Sequence, residues 1–267
     1  MRRAALLMLA ALATGSAGAG EIPPAEIPPS EIPPAERRSS FDGMSPDIQA
    51  MQRDADANPG LLWLQDGADL WSTAPAPDRP ACAGCHGEAA TAMRGVAARY
   101  PTWDEATAAP IDLQGRINAC RRRHQGAEPY AYESRELLGL TAYVAAQSAG
   151  LPITTPADAR LGSARSAGRA LFTRRMGQLG LSCAACHDGN HGRRLGAALI
   201  PQGHPTGYPL YRLEWQGLGS VQRRLRNCMT GMRAEPFAYG APEFVALERY
   251  LMDRAAPLPM ETPAVRP

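Results

Sequence analysis

Two tandem copies of one small, mainly α-helical unit are what this 267-residue sequence predicts. Three observations lead there. Short motifs recur in the same order at matched spacings. Apolar residues recur with helical rhythm. No run of residues alternates convincingly between apolar and polar, as a half-buried strand would.

The repeat is explicit. GADLW (67 to 71) precedes Cys82 by the same 15 residues that separate GRALF (168 to 172) from Cys183. Tyr100-Pro101 starts 20 residues before Cys120, and Tyr208-Pro209 starts 20 before Cys228. Gln114 and Arg116 match Gln222 and Arg224, and AEPYAY (127 to 132) matches AEPFAY (234 to 239) after a one-residue slip. The copies span residues 41–155 and 156–260.

Ahead of them, residues 1–19 read as an export signal. Arg2 and Arg3 form a charged start, AALLMLAALA is too short to cross a bilayer, and Ala17-Gly18-Ala19 is an A-x-A cleavage site. Residues 20–40 hold EIPPAEIPPSEIPPAE, whose paired prolines predict a stiff extended linker. No later segment is apolar enough to span a membrane, so the expectation is a soluble periplasmic protein. A net charge of +2 argues against nucleic acid as partner. All 28 basic residues are arginine, so every positive site is a guanidinium fork suited to anions.

Within each copy a helix is expected around Gly67–Trp71 and Gly168–Phe172. LQGRINAC and VQRRLRNC predict helices running up to Cys120 and Cys228. The last helices show one apolar face: Leu137, Leu140 and Val144 in ELLGLTAYVAA, and Phe244, Leu247 and Leu251 in EFVALERYLM.

Six cysteines in an exported chain first suggest three disulfides. Four of them, however, lie in CAGCH (82 to 86) and CAACH (183 to 187). C-x-x-C-H is the attachment motif of c-type haem, with two thioether bonds and an adjacent histidine ligand. Two copies in one chain predict two covalent haem c groups, on Cys82 and Cys85 and on Cys183 and Cys186. His86 and His187 become the iron ligands. Zinc is a poor rival, because its paired C-x-x-C units lie closer together and need no adjacent histidine. The fold class is therefore mainly α, with two tandem cytochrome c-like haem domains.

Cys120 and Cys228 remain, at matched places. Three readings stay open: a sixth iron ligand in each copy, a small buried hydrophobe, or a disulfide joining the two. Repetition favours the first, since no methionine recurs at equivalent positions. Arg116 and Arg224 lie one helical turn before the lone cysteines, where a guanidinium favours thiolate. Most of Arg121, Arg122 and Arg123 read as a solvated patch, and His124, a rival ligand candidate near Cys120, reads first as a surface residue.

With these residues in place, the chain resembles the SoxA family, the larger cytochrome subunit of L-cysteine S-thiosulfotransferases. The likeness runs from about Ser45 to Arg254. It rests on both haem motifs, the paired late cysteines and RNCMTGMRAEPFAYGAPEF (226 to 244). It implies His86 with Cys120 on the first iron and His187 with Cys228 on the second. It makes Cys228 the catalytic cysteine, carried as a persulfide, and Arg224 the arginine that holds the sulfur anion. It implies a SoxX-type monohaem partner in a heterodimer, and a SoxYZ-type carrier whose cysteine receives thiosulfate. A non-catalytic dihaem electron carrier and a thiosulfate dehydrogenase forming tetrathionate are the competing functions.

Overall fold

The computed structural model describes residues 32–267. The expected export signal and most of the proline-rich leader lie outside the described residues.

The first copy contains α2 (Gly60–Ser72), the one-turn α3 (Cys82–His86) and the short α4 (Ala89–Ala92). A hairpin of β1 (Thr102–Asp104) and β2 (Ala109–Ile111) follows, then α5 (Leu113–His124) and α6 (Arg135–Ala146). The second copy repeats the order: α7 (Gly162–Thr173), α8 (Cys183–His187), a hairpin of β5 (Leu210–Arg212) and β6 (Gly217–Gly219), then α9 (Val221–Gly231) and α10 (Pro242–Ala255). It also inserts a small hairpin, β3 (Arg194–Leu195) with β4 (Ala198–Leu199). Outside the repeat lie α1 (Pro46–Arg53) and β7 (Ala264–Arg266), which pairs in parallel with β5.

The expected helices form, and α5 and α9 run past their cysteines. The strands were not expected. Each is two or three residues long, too short for alternation to register in the sequence.

Backbone details repeat as well. Asp112 caps α5 by accepting from Gly115 N at 2.6 Å, and Ser220 caps α9 by accepting from Arg223 N at 3.1 Å. Ala108 and Gln216 take left-handed φ values of 49° and 51° at the two hairpin turns. The Tyr100-Pro101 and Tyr208-Pro209 bonds are both cis.

Glycine sets the closest helix crossings. A Cβ on Gly67 of α2 would collide with the carbonyl of Gly139 in α6. A Cβ on Gly168 of α7 would collide with that of Ala246 in α10. The first and last helices of each unit thus cross at backbone contact. That crossing aims Trp71 and Phe172 inward from the same helical position, four residues later.

The copies share a core. Ala97, Ala98, Ala145 and Ile153 pack with Met252, Ala255 and Met260. Leu138 and Ala142 pack with Leu218. Burying one of the leucine, isoleucine or methionine side chains among them contributes roughly 1.5–3 kcal/mol. Residues 37–58 pack against the segment that follows α10. The Arg37 guanidinium donates to Ala256 O, Asn58 Nδ2 donates to Pro263 O at 2.9 Å, and Arg266 Nη1 donates to Gln52 Oε1 at 2.5 Å.

Candidate haem centres and the Cys228 site

Each C-x-x-C-H motif folds as one helical turn, which sets its two cysteines three residues apart on one face and its histidine just beyond. In the second copy the Ser182 hydroxyl starts the turn by accepting from Ala185 N at 3.1 Å. Asp188 ends it, and is held by Arg254 of α10 at 2.7 Å. In the first copy Gly87 ends the turn at φ 68°, and its carbonyl accepts from the Trp71 indole at 3.1 Å. Trp71 and Phe172 then lie beside the two histidines, with ring centroids 5.7 Å from His86 and 6.4 Å from His187.

His187 is prepared as a ligand. Its Nδ1 donates to Pro201 O at 2.7 Å, which leaves the Nε2 lone pair free. Burial pushes its pKa down, favouring the neutral ring that coordination needs. Gly203, at φ 78°, brings its backbone against the same ring, and a Cβ there would lie 3.1 Å from it. His86 is more exposed and lacks an equivalent carbonyl partner among the described residues.

The late cysteines meet the motifs. Burial pushes the Cys183 thiol up to about 12, and the neighbouring Cys228 adds to this. Cys186 is raised by the same two causes. In the first copy Cys82 is raised by burial and, less, by Cys120, while Cys85 acts on Cys120. All six cysteines are free, so the Cys120–Cys228 disulfide does not form. Met229 and Met232 pack on Phe244 in an apolar cluster.

Arg116 and Arg123 favour the Cys120 thiolate, as expected, but burial, the larger effect, pushes the thiol up and Asp104 adds to it. Arg122, Arg123 and His124 are exposed, as expected. Arg123 also grips Asp104 through two hydrogen bonds of 2.9 and 2.7 Å, and the half-buried Arg121 stacks 3.5 Å from the Tyr130 ring centre.

Around Cys228 the arginines divide. Arg223 stacks on Trp215, 4.3 Å from the ring centre. The Arg226 guanidinium donates to Phe237 O and lies over Tyr239. Arg224, one turn before Cys228 on α9, is half-buried and has no side-chain hydrogen bond or ion pair among the described residues. Tyr208 and Arg212 complete its surroundings, since both interact electrostatically with Arg224 and Cys228. Reading the repeat by its identities found Arg224 but missed Arg212, because Arg212 aligns with an aspartate. The equal spacing from the Tyr-Pro pairs could have revealed it.

The model for the SoxA/TsdA cytochrome c domain matches residues 66–153 and again 167–260. The chain belongs to this family. The SoxA subunit of an L-cysteine S-thiosulfotransferase from Pseudaminobacter salicylatoxidans is 38% identical, over 80% of this chain and 76% of the relative. That of Rhodovulum sulfidophilum is 35% identical, over 86% and 80%. The crystal structure of SoxXA from P. pantotrophus superposes with a TM-score of 0.83 at 30% identity, covering 86% of this chain and 87% of that one.

Membership brings haem c with it, and the residues fit the group. Each SoxA/TsdA-type half offers two thiols on one helical face, a histidine and a facing cysteine. Among the described residues no three His, Cys, Asp or Glu side chains converge as they would on a bare metal ion. No helix among them is long and apolar enough to cross a membrane.

Proposed function

We propose that this chain is the haem-bearing SoxA subunit of a periplasmic L-cysteine S-thiosulfotransferase. Cys82 and Cys85 would hold one haem c through thioethers, with His86 and Cys120 as iron ligands. Cys183 and Cys186 would hold the second, with His187 and Cys228. The observation that carries the reading is the pairing of a free, half-buried Cys228, facing the second haem motif, with an unpaired Arg224 one turn away.

The reaction joins the outer sulfur of thiosulfate to the thiol of a carrier cysteine. An S–S bond forms, an S–H bond breaks, and one proton and two electrons leave. Haem c, when bound, supplies one-electron acceptance. The chain's own residues do the rest. Arg224 holds the dianion and offsets its charge as the sulfurs approach. The Cys228 sulfur, carried as a persulfide, keeps the thiosulfate fragment until the carrier thiol takes it. A SoxX-type monohaem cytochrome is the partner subunit, and a SoxYZ-type protein carries the acceptor cysteine.

The test is Cys228→Ala in the assembled heterodimer. Carrier-dependent conjugation should vanish while both haems stay attached, as read by absorbance and intact mass. Oxidation of free thiosulfate to tetrathionate without the carrier would instead assign a thiosulfate dehydrogenase.

A further inference from the structure

Asp104 and Arg212 occupy the same place in the two copies. Each ends the first strand of its hairpin, opposite Ala109 and Gly217 respectively, and each lies four residues after the tyrosine of the Tyr-Pro pair. Asp104 is fully buried and accepts from Arg116 at 2.7 Å as well as from Arg123. Arg116 is the counterpart of Arg224. The first copy thus closes its guanidinium on an internal carboxylate.

In the second copy the carboxylate is replaced by a guanidinium. Arg123 has also gone: the matching residue is Gly231, and a Cβ there would meet nothing within 4 Å. Arg212 is mostly buried, and its Nε has no hydrogen-bond partner. Its one ionic neighbour among the described residues is Glu214, 3.8 Å away and largely exposed. Two guanidinium groups therefore share the surroundings of Cys228 with Tyr208, and among the described residues no buried carboxylate pairs with either. Like charges held in a half-buried site call for an anion between them.

We infer that Arg212 is a second anion-binding residue, forming with Arg224 a clamp for the thiosulfate dianion beside Cys228. This rests on the functional reading above and extends it. A charge reversal at one strand position then distinguishes the binding copy from the closed one.

The experiment compares wild type, Arg212→Gln, Arg212→Lys and Arg212→Met in the haem-loaded heterodimer. Met fills similar volume without charge, so misfolding of the Gln variant leaves Met to decide. The KM for thiosulfate should rise about tenfold to a hundredfold in Gln and Met, the loss of one charge-assisted contact, with kcat within about threefold. Lys should recover most of it. Titration calorimetry with thiosulfate should show the same order. An unchanged KM and affinity in Gln or Met overturns the clamp. So does an altered haem spectrum at unchanged KM, which would assign Arg212 to the haem carboxylates. If the wild type conjugates no thiosulfate, the functional reading fails, and calorimetry on the same proteins still decides the clamp. Absence of thiosulfate binding to the wild type overturns it too.

Discussion

Gln222 of the second copy donates its side-chain amide to Asp112 of the first at 2.8 Å, and to Glu248 at 2.6 Å. One NH2 group thus sits between two carboxyl groups at the seam between the copies. Its own oxygen accepts from Gly240 N at 2.7 Å, and the Tyr132 hydroxyl donates to Asp112 at 3.2 Å. Burial pushes both carboxyl groups up, and the charge of Asp112 pushes Glu248 further.

Glu248→Gln should therefore be tolerated at neutral pH. The folded protein keeps a proton on Glu248 that the unfolded chain has lost, so wild-type stability falls as pH rises from about 4.5 towards the folded pKa. The variant should lose the Glu248 share of that decline, leaving only that of Asp112. Urea melts from pH 5 to 8 check this; identical slopes for the two proteins would remove the protonated carboxyl from the account.

Gly168→Ala should destabilise by about 3 kcal/mol, since its methyl meets the Ala246 carbonyl and Tyr250 and forces α7 from α10. Gly162→Ala, with nothing within 4 Å, should be neutral or slightly stabilising. Thermal melts of the two side by side separate crossing geometry from helix propensity.

Asp104→Asn should cost about 2–3 kcal/mol, because two guanidinium groups lose a charged acceptor. Arg123 holds the Asp104 carboxyl well below the usual range, with burial opposing. Its contribution is present above about pH 4 and is lost as pH falls through the folded pKa. Wild type and variant should converge in stability under strong acid; a constant gap between them would count against the pairing.

His204 is buried, with Nδ1 donating to Arg38 O at 2.9 Å, and burial pushes its pKa to about 4. Between pH 6.5 and 4 the unfolded chain takes up a proton that the folded chain refuses. Stability is lost as pH falls through that window, by about 3 kcal/mol in all. His204→Gln should flatten the slope; denaturant melts at pH 7, 6 and 5 read it.

Arg224→Gln should keep both haems and the fold while lowering kcat/KM for thiosulfate by about a hundredfold or more. Single-turnover conjugation assays on the heterodimer measure it. Wild-type rates would remove Arg224 from the site.

What the sequence carried was what repetition and periodicity can carry. The matched spacings around Cys82 and Cys183 located both haem motifs, the crossing glycines and the late cysteines before any coordinates. The apolar rhythm of Leu137 to Val144 and Phe244 to Leu251 placed α6 and α10. Strands of two or three residues left no rhythm to read. Arg212 escaped because repeats are recognised through identity, and at this position the copies differ in sign. The contacts of residues 37–58 with the C-terminal strand escaped because they join positions more than 200 residues apart, and no local pattern marks such a pair.

Those long-range contacts also impose an order on assembly. Asn58 and Gln52 find their partners on Pro263, Val265 and Arg266. Each pair joins positions more than 200 residues apart, so residues 37–58 stay unanchored until that strand is in place, while the local helix crossings of the first copy can form without it. Strand β7 then works as a latch, and removing it would release residues 37–58 with it.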